Sequence, residues 1–202
     1  MHTRTRDIFE QMATQYDTEE RKNIAHIAAQ RIRAEIEDAK TLSAMDYGCG
    51  TGLVGLELID LFSDMLFVDT SLQMITQVQR KLEKAHITTA RTLCSDFCVE
   101  LPSDVKADCI FMSQVLLHVK NYPLLLTRLH TVLNRDGHLI IVDFDKNQRI
   151  VSDLVHNGFE QPELIKLLEQ IGFSSITAGT FYHGQKMFMK EDASLFLLHA
   201  RK

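Results

Sequence analysis

Asp46-Tyr-Gly48-Cys-Gly50-Thr-Gly52 sets glycine at alternate positions, directly after the apolar run Leu42–Tyr47 and before a helical stretch that begins at Leu53. Lacking a Cβ, such a backbone turns tightly and lets a ligand approach closely. The N–H groups that open the following helix can receive polar or anionic ligand groups. Asp69 stands nineteen residues after Gly50, where the next apolar run ends. An ionised carboxylate has only acceptors to offer, so it can take both hydroxyls of a ribose. The plainer alternative for Asp69 is an N-cap of the helix after Ser71. With the glycine loop upstream, the ribose role is favoured, because open α/β sheets bind ligands outside the carboxyl ends of their strands.

Two further patterns compete. Gly50-Thr-Gly52-Leu-Val-Gly55 matches the G-x-G-x-x-G of nicotinamide and flavin sites, and Tyr182-His-Gly-Gln-Lys186 matches a Tyr-x-x-x-Lys pair of short-chain dehydrogenases. The first should begin as its strand ends, yet Asp46 and Gly48 precede it in a longer Asp-x-Gly-x-Gly-x-Gly run. The second should lie on one helix face, yet Gly184 interrupts it in a strand-and-turn context. Proton-transfer candidates are few. His118 follows the run Cys109–Ser113 and has a side chain suited to proton exchange near pH 7; its alternative is a structural hydrogen bond. Asp143, ending the run His138–Phe144, is the second candidate, and His156 and His183 read as loop or strand surface. Cys49, Cys94, Cys98 and Cys109 are too few and too irregular for a disulfide framework. No further Cys or His stands near Cys94-x-x-x-Cys98, so no metal is expected.

These residues need a scaffold. The chain has 202 residues, with Lys+Arg 22 against Asp+Glu 27 and a formal net charge of −5. Such a length fits one large domain, and a pI near 6.0 argues against a broad phosphate-binding face. No apolar run approaches the roughly 18–20 residues of a membrane span, and MHTRTRDIFEQM lacks the apolar core of a secretory signal. With thiols expected to be reduced, a cytoplasmic protein follows. Residues 7–38 are rich in helix formers, with Ile24, Ile27, Ala28, Ile32 and Ile36 at helical spacing. Strand-like runs at Leu42–Tyr47, Met65–Val68, Ala90–Leu93, Cys109–Ser113 and His138–Phe144 then alternate with helical stretches at Leu53–Leu61, Leu72–Ala85 and Tyr122–Leu133. Asn134-Arg135-Asp136-Gly137 reads as a helix stop and turn. Such alternation predicts a parallel sheet with helices on both faces. After a helix Pro162–Gln170 closed by Gly172, strands Ser174–His183 and Ala193–Ala200, separated by the polar stretch Gly184–Asp192, predict an antiparallel pair at one edge. No repeat, low-complexity tract or linker divides the chain, so one domain is expected.

In order and spacing these blocks resemble the class I S-adenosylmethionine-dependent methyltransferases over nearly the whole chain. Asp46–Gly52 resembles their first motif, and Phe67-Val-Asp69-Thr-Ser71-Leu-Gln-Met74 their second. Cys94-Ser-Asp96-Phe97 resembles the segment after their third strand, and Asp108–His118 and Leu133–Phe144 the fourth and fifth strand blocks. His156-Asn-Gly158-Phe159, then Leu164 to Gly172-Phe173, resembles a later block of small-molecule members, and Phe9 to Asp17 an N-terminal helical cap. The resemblance implies a Rossmann-like α/β fold: a seven-stranded, mostly parallel sheet with an antiparallel C-terminal strand, helices on both faces and a helical cap. It implies a cap over 1–40, a cofactor-binding half over 41–145, and a substrate-side loop, helix and hairpin over 146–202. Asp46 would order the loop or attract the cofactor's ammonium, and Gly48, Cys49 and Gly50 would pass its methionine part. Asp69 would meet the ribose, Thr70 would be a further cofactor contact, Met74 would pack on adenine or fill the core, and Asp96 would receive the adenine amino group with Phe97 alongside. Ser113 and Gln114 would face the methyl group, Tyr16 would close over the cofactor, and His118 would be the catalytic candidate. Members that methylate adenine or amide nitrogen carry Asn/Asp-Pro-Pro-Tyr/Phe where this chain has Ser113-Gln-Val-Leu116, which points to a small-molecule acceptor and away from nucleic acid. A nicotinamide-dependent oxidoreductase and a non-catalytic cofactor-binding module are the alternatives.

Overall fold

Alternate residues along the central strands bury themselves on opposite faces, and this period of two builds the architecture. In a computed structural model that describes residues 3–36 and 39–202, and the side chains from residue 6 onward within them, β1 (Ser43–Tyr47), β2 (Asp64–Asp69), β3 (Ala90–Cys94), β4 (Ala107–Ser113), β5 (Leu133–Phe144), β6 (Ser174–Phe188) and β7 (Glu191–Arg201) form one sheet. Its order is β3-β2-β1-β4-β5-β7-β6. The first five strands are parallel neighbours, while β7 runs antiparallel to both β5 and β6. Met45, Leu66, Ile110, Met112, Leu139 and Ile141 face one hydrophobic cluster, closed by α5 (Tyr122–Val132) and α6 (Gln161–Ile171). Their sequence neighbours Ala44, Met65, Phe67, Cys109, Phe111, Ile140 and Val142 face the other, closed by α2 (Glu19–Arg33), α3 (Leu53–Leu58) and α4 (Leu72–Lys84). The chain order reverses between β1 and β4, and this is where the glycine loop lies.

Three expectations change. The helix expected over 7–38 is two: α1 (Thr3–Met12) leads through a short 3-10 turn at Ala13–Gln15 into a break, and Thr18 then caps α2, its Oγ1 accepting from the Arg21 N–H at 3.3 Å. Residues 37 and 38 of that expectation, like residues 1 and 2 of the cap, lie outside the described residues. Asn134–Gly137 is not a connecting turn but a bulged part of β5. Asp136 takes φ +58°, and the Asn134 amide donates to the Asp108 carboxylate at 2.7 Å. The polar stretch Gly184–Asp192 is mostly strand. β6 and β7 meet in a two-residue turn, Met189-Lys190, with φ of +51° and +71°. Positive φ at both turn positions matches the twist of the flanking strands, and neither residue type announces it. Tyr182 and Lys186 sit on β6, so they do not form the helical pair of a dehydrogenase.

Candidate active site

The glycine loop is tied to the strand beside it. Gly48 and Cys49 both donate backbone N–H bonds to the Val68 carbonyl, at 2.7 and 3.0 Å. Gly48 holds φ +72°, and a Cβ there would stand 2.5 Å from Cγ2 of Val115. Gly50 holds φ +54°, with only the Tyr16 ring near its missing Cβ, at 3.8 Å. One glycine is thus pressed against the sheet edge and the next lies bare beneath a tyrosine.

Asp69 joins this loop to the next helix. Its Oδ2 accepts from the Gly50 N–H and its Oδ1 from the Ser71 N–H, each at 2.9 Å. The cap of α4 is Ser71, whose Oγ accepts from Met74 N–H at 3.1 Å, so Asp69 is released from that role. Burial raises the Asp69 pKa, and the amides of Ser71, Gly50 and Thr70 work against that rise. The acid is 7% exposed and borders two of three narrow recesses that share walls. One joins Asp69 to Tyr47, Gly48, Thr70 and Asp96; the second joins it to Gly50, Met74, Ser113, Gln114 and His118. The third carries the line on to Cys49, Thr51 and Arg21. Tyr16 roofs the last two.

Two expected contacts fall elsewhere. Asp46 lies under α3, its Oδ2 accepting from the Gly55 N–H at 3.1 Å, and burial pushes its pKa up to about 8. It does not line these recesses and acts on the loop through the helix that follows. The Phe97 ring is fully buried against Tyr47, centroids 4.9 Å apart, so it backs the Asp96 turn from the core side instead of facing a recess. Met74 lines a recess while 1% exposed, so core and wall roles coincide.

The base candidates separate clearly. His118 ends a 3-10 turn (Leu116–His118) after β4, edge-on to Phe9 with centroids 5.1 Å apart. Burial lowers its pKa to about 4, and its buried Nδ1 has no hydrogen-bond partner among the described residues. Asp143 lies wholly inside the protein. It accepts from Phe144 N–H at 2.8 Å and Leu117 N–H at 3.3 Å, and burial raises its pKa to about 7. These bonds hold the turn that carries His118. His156 bonds the Val119 carbonyl at 3.0 Å and His183 the Ser194 hydroxyl at 2.7 Å, so both are locally satisfied.

The cap supplies what the sequence reading passed over. Glu10 of α1 accepts from the first amides of α4, Leu72 N–H at 2.8 Å and Gln73 N–H at 3.1 Å. A carboxylate there satisfies orphan donors and meets the positive end of the helix dipole. Asp17 pairs with Lys81 at 2.7 Å and accepts from the Thr51 hydroxyl, while Lys81 donates to the Thr51 carbonyl at 2.7 Å. The spacing of Asp17 from Lys81 carries no local periodicity, so only the fold brings them together.

A family model described as "Methyltransferase domain" matches residues 12–183, well over half of the chain. The chain belongs to this methyltransferase family. The chain is 30% identical over 111 residues to (S)-coclaurine N-methyltransferase of Papaver somniferum, a match covering 54% of this chain and 31% of that protein. The chain therefore spans about a third of that relative's length. A SAM dependent methyltransferase from Aquifex aeolicus superposes with TM-score 0.71 at 16% identity, covering 95% of this chain and 97% of the other. Phosphoethanolamine N-methyltransferase 2 of Haemonchus contortus, solved in complex with S-adenosyl-L-methionine, superposes with TM-score 0.67 at 13% identity, covering 81% of this chain and 49% of that one. At such identities the superpositions establish the fold.

Proposed function

We propose that the chain binds S-adenosylmethionine and transfers its methyl group to a small molecule. The observation that carries this reading is the continuous wall from Asp96 through Asp69, Gly48 and Gly50 to Gln114 and His118, where a wider cleft opens. The residues fit the cofactor: bare backbone at Gly50, an acceptor carboxylate at Asp69, an apolar wall at Met74 and an aromatic roof at Tyr16. Asp96 and Thr70 would hold the adenine end, Asp69 the ribose hydroxyls, and Gly48 to Gly50 with Ser113 and Gln114 the amino-acid end. When bound, the cofactor supplies a methyl carbon that an acceptor lone pair takes in line, the electron pair of the broken carbon–sulfur bond staying on sulfur.

The protein's own contribution is placement. Reacting atoms must meet at about 3–3.5 Å and in line. Tyr16 and Phe9 keep water away from the junction of recess and cleft, and the Asp143-held turn fixes His118 at that junction. With a pKa near 4, His118 orients the acceptor's X–H by accepting a hydrogen bond, and the released proton passes on to water through the cleft. No group of His, Cys, Asp and Glu side chains among the described residues is arranged to hold a metal, and none is needed for this displacement. The three parts of the chain divide the work as cap, cofactor-binding half and substrate side. Four free thiols support a reducing, cytoplasmic setting. None of the described helices is long and apolar enough to cross a membrane. Isothermal titration should show S-adenosylhomocysteine binding and no measurable binding of NADH or NADPH; the reverse outcome would retire the proposal.

A further inference from the structure

The cleft beyond Gln114 and His118 has a volume of about 630 Å³, room for a molecule of two or more rings. Its walls come from both ends of the chain: Phe9 and Met12 of the cap face Leu117, Phe144, Met187 and Phe188. Phe144 and Phe188 stack with centroids 4.4 Å apart and planes 10° from parallel, which backs this wall with a rigid apolar pair. Methionine side chains on two sides add polarisable walls that adapt to ring shapes.

Charge is scarce there. The ionic side chains lining the cleft are Glu20 and Arg21. The Arg21 guanidinium is held against Tyr16, 4.2 Å above its ring and 3.0 Å from its carbonyl. Among the described residues the lining thus sets one cation against one anion, with no net positive charge to hold a phosphate or carboxylate. Among the described residues the one polar atom buried without a partner at this junction is Nδ1 of His118, and an unpaired buried nitrogen is costly unless a ligand completes it.

Building on the cofactor reading, we propose that this methyltransferase takes an uncharged, ring-bearing apolar acceptor whose reacting O–H or N–H donates to Nδ1 of His118, and rejects small zwitterions and phosphorylated amines. The apolar side chains of the cap and of the β6–β7 tip hold the rings, backed by the Phe144–Phe188 pair, and His118 selects the end that meets the methyl group.

The test is calorimetry on protein loaded with S-adenosylhomocysteine, with 2-naphthol and 1-aminonaphthalene as ring probes, 2-methoxynaphthalene as a ring without a donor, and phosphoethanolamine and glycine as charged probes. The ring probes should bind at least tenfold more tightly than the charged ones, and whichever of the O–H and N–H probes binds better names the reacting group. Met187→Glu should weaken the ring probes at least tenfold. His118→Phe, which keeps a ring against Phe9, should abolish the preference for 2-naphthol over 2-methoxynaphthalene. Far-ultraviolet circular dichroism and the thermal unfolding midpoint report whether each variant is folded. Tighter binding of phosphoethanolamine or glycine, or a 2-naphthol preference that survives His118→Phe, would overturn the acceptor assignment alone. Absence of S-adenosylhomocysteine binding to the unmodified protein would overturn both readings.

Discussion

Asp46 and Asp69 are acids of one glycine loop with opposite surroundings, and the difference governs what each can do. Asp69 meets the recess with two amides already bonded, leaving acceptor capacity on both oxygens. Asp46 is sealed beneath α3 with a pKa near 8. An unfolded aspartic acid titrates near ~4, so between those values the folded state keeps a proton that the unfolded chain releases, and stability falls as pH rises. The buried His118 acts with the other sign, since its lowered pKa takes away stability as pH drops from ~6.5. Above ~6.5 its effect is flat, and what remains is the fall caused by Asp46 up to pH 8, joined up to about pH 7 by that of the buried Asp143. Asp46→Asn should remove up to about 1.4 kcal/mol per pH unit of that slope, read from urea unfolding at pH 6.5, 7.25 and 8. Gly48→Ala meets a positive φ and the Val115 side chain together. It should cost about 1–3 kcal/mol of stability and weaken S-adenosylhomocysteine binding, measured by denaturation and calorimetry.

The cap is held to the sheet domain by polar contacts set in specific places. Glu10 caps α4, and Asp17 locks Lys81 against the Thr51 carbonyl. Both latches straddle Tyr16, which roofs the glycine loop. Glu10→Ala should therefore cost about 1 kcal/mol, the scale of a lost helix cap, and speed S-adenosylhomocysteine release several-fold in stopped-flow displacement. An unchanged release rate would separate the latch from the cofactor. The sequence foretold the cap's helical content, because Ile24, Ala28 and Ile32 repeat at helical spacing. It also held the signal for the break, since Thr18-Glu19-Glu20 is a helix start, but the surrounding helix formers masked it. The hairpin tip had no such signal. Met189-Lys190 turns with two positive φ values only because the paired strands on either side dictate its geometry.

At the scale of the molecule, ligand binding should register as stability, because a group that occupies the recess binds the folded state alone. At a hundred times its dissociation constant, S-adenosylhomocysteine should add about 2.7 kcal/mol. For a chain of this size that is a rise of roughly 5–11 °C in Tm, followed by calorimetric scanning, and NAD should give none. The sheet order β3-β2-β1-β4-β5-β7-β6 places the recess at the reversal between β1 and β4. It also brings the β6–β7 tip across to the cap, so that Met187 and Met12 line one cleft although they come from opposite ends of the chain.

Local chemistry alone determined the strands, the loop and its acid partner. Alternating burial, missing Cβ atoms and the reach of a carboxylate are properties of neighbouring residues, and a chain displays them before it folds. Which of these groups share a surface depended on packing at long range. Phe97 turned inward, Asp143 became the support of a turn, and His118 kept an unpaired nitrogen beside an apolar cleft, because desolvation and close contact are set by elements far apart in the chain. For that reason the glycine loop and Asp69 could be read in advance, and the cleft beyond His118 became visible only in three dimensions.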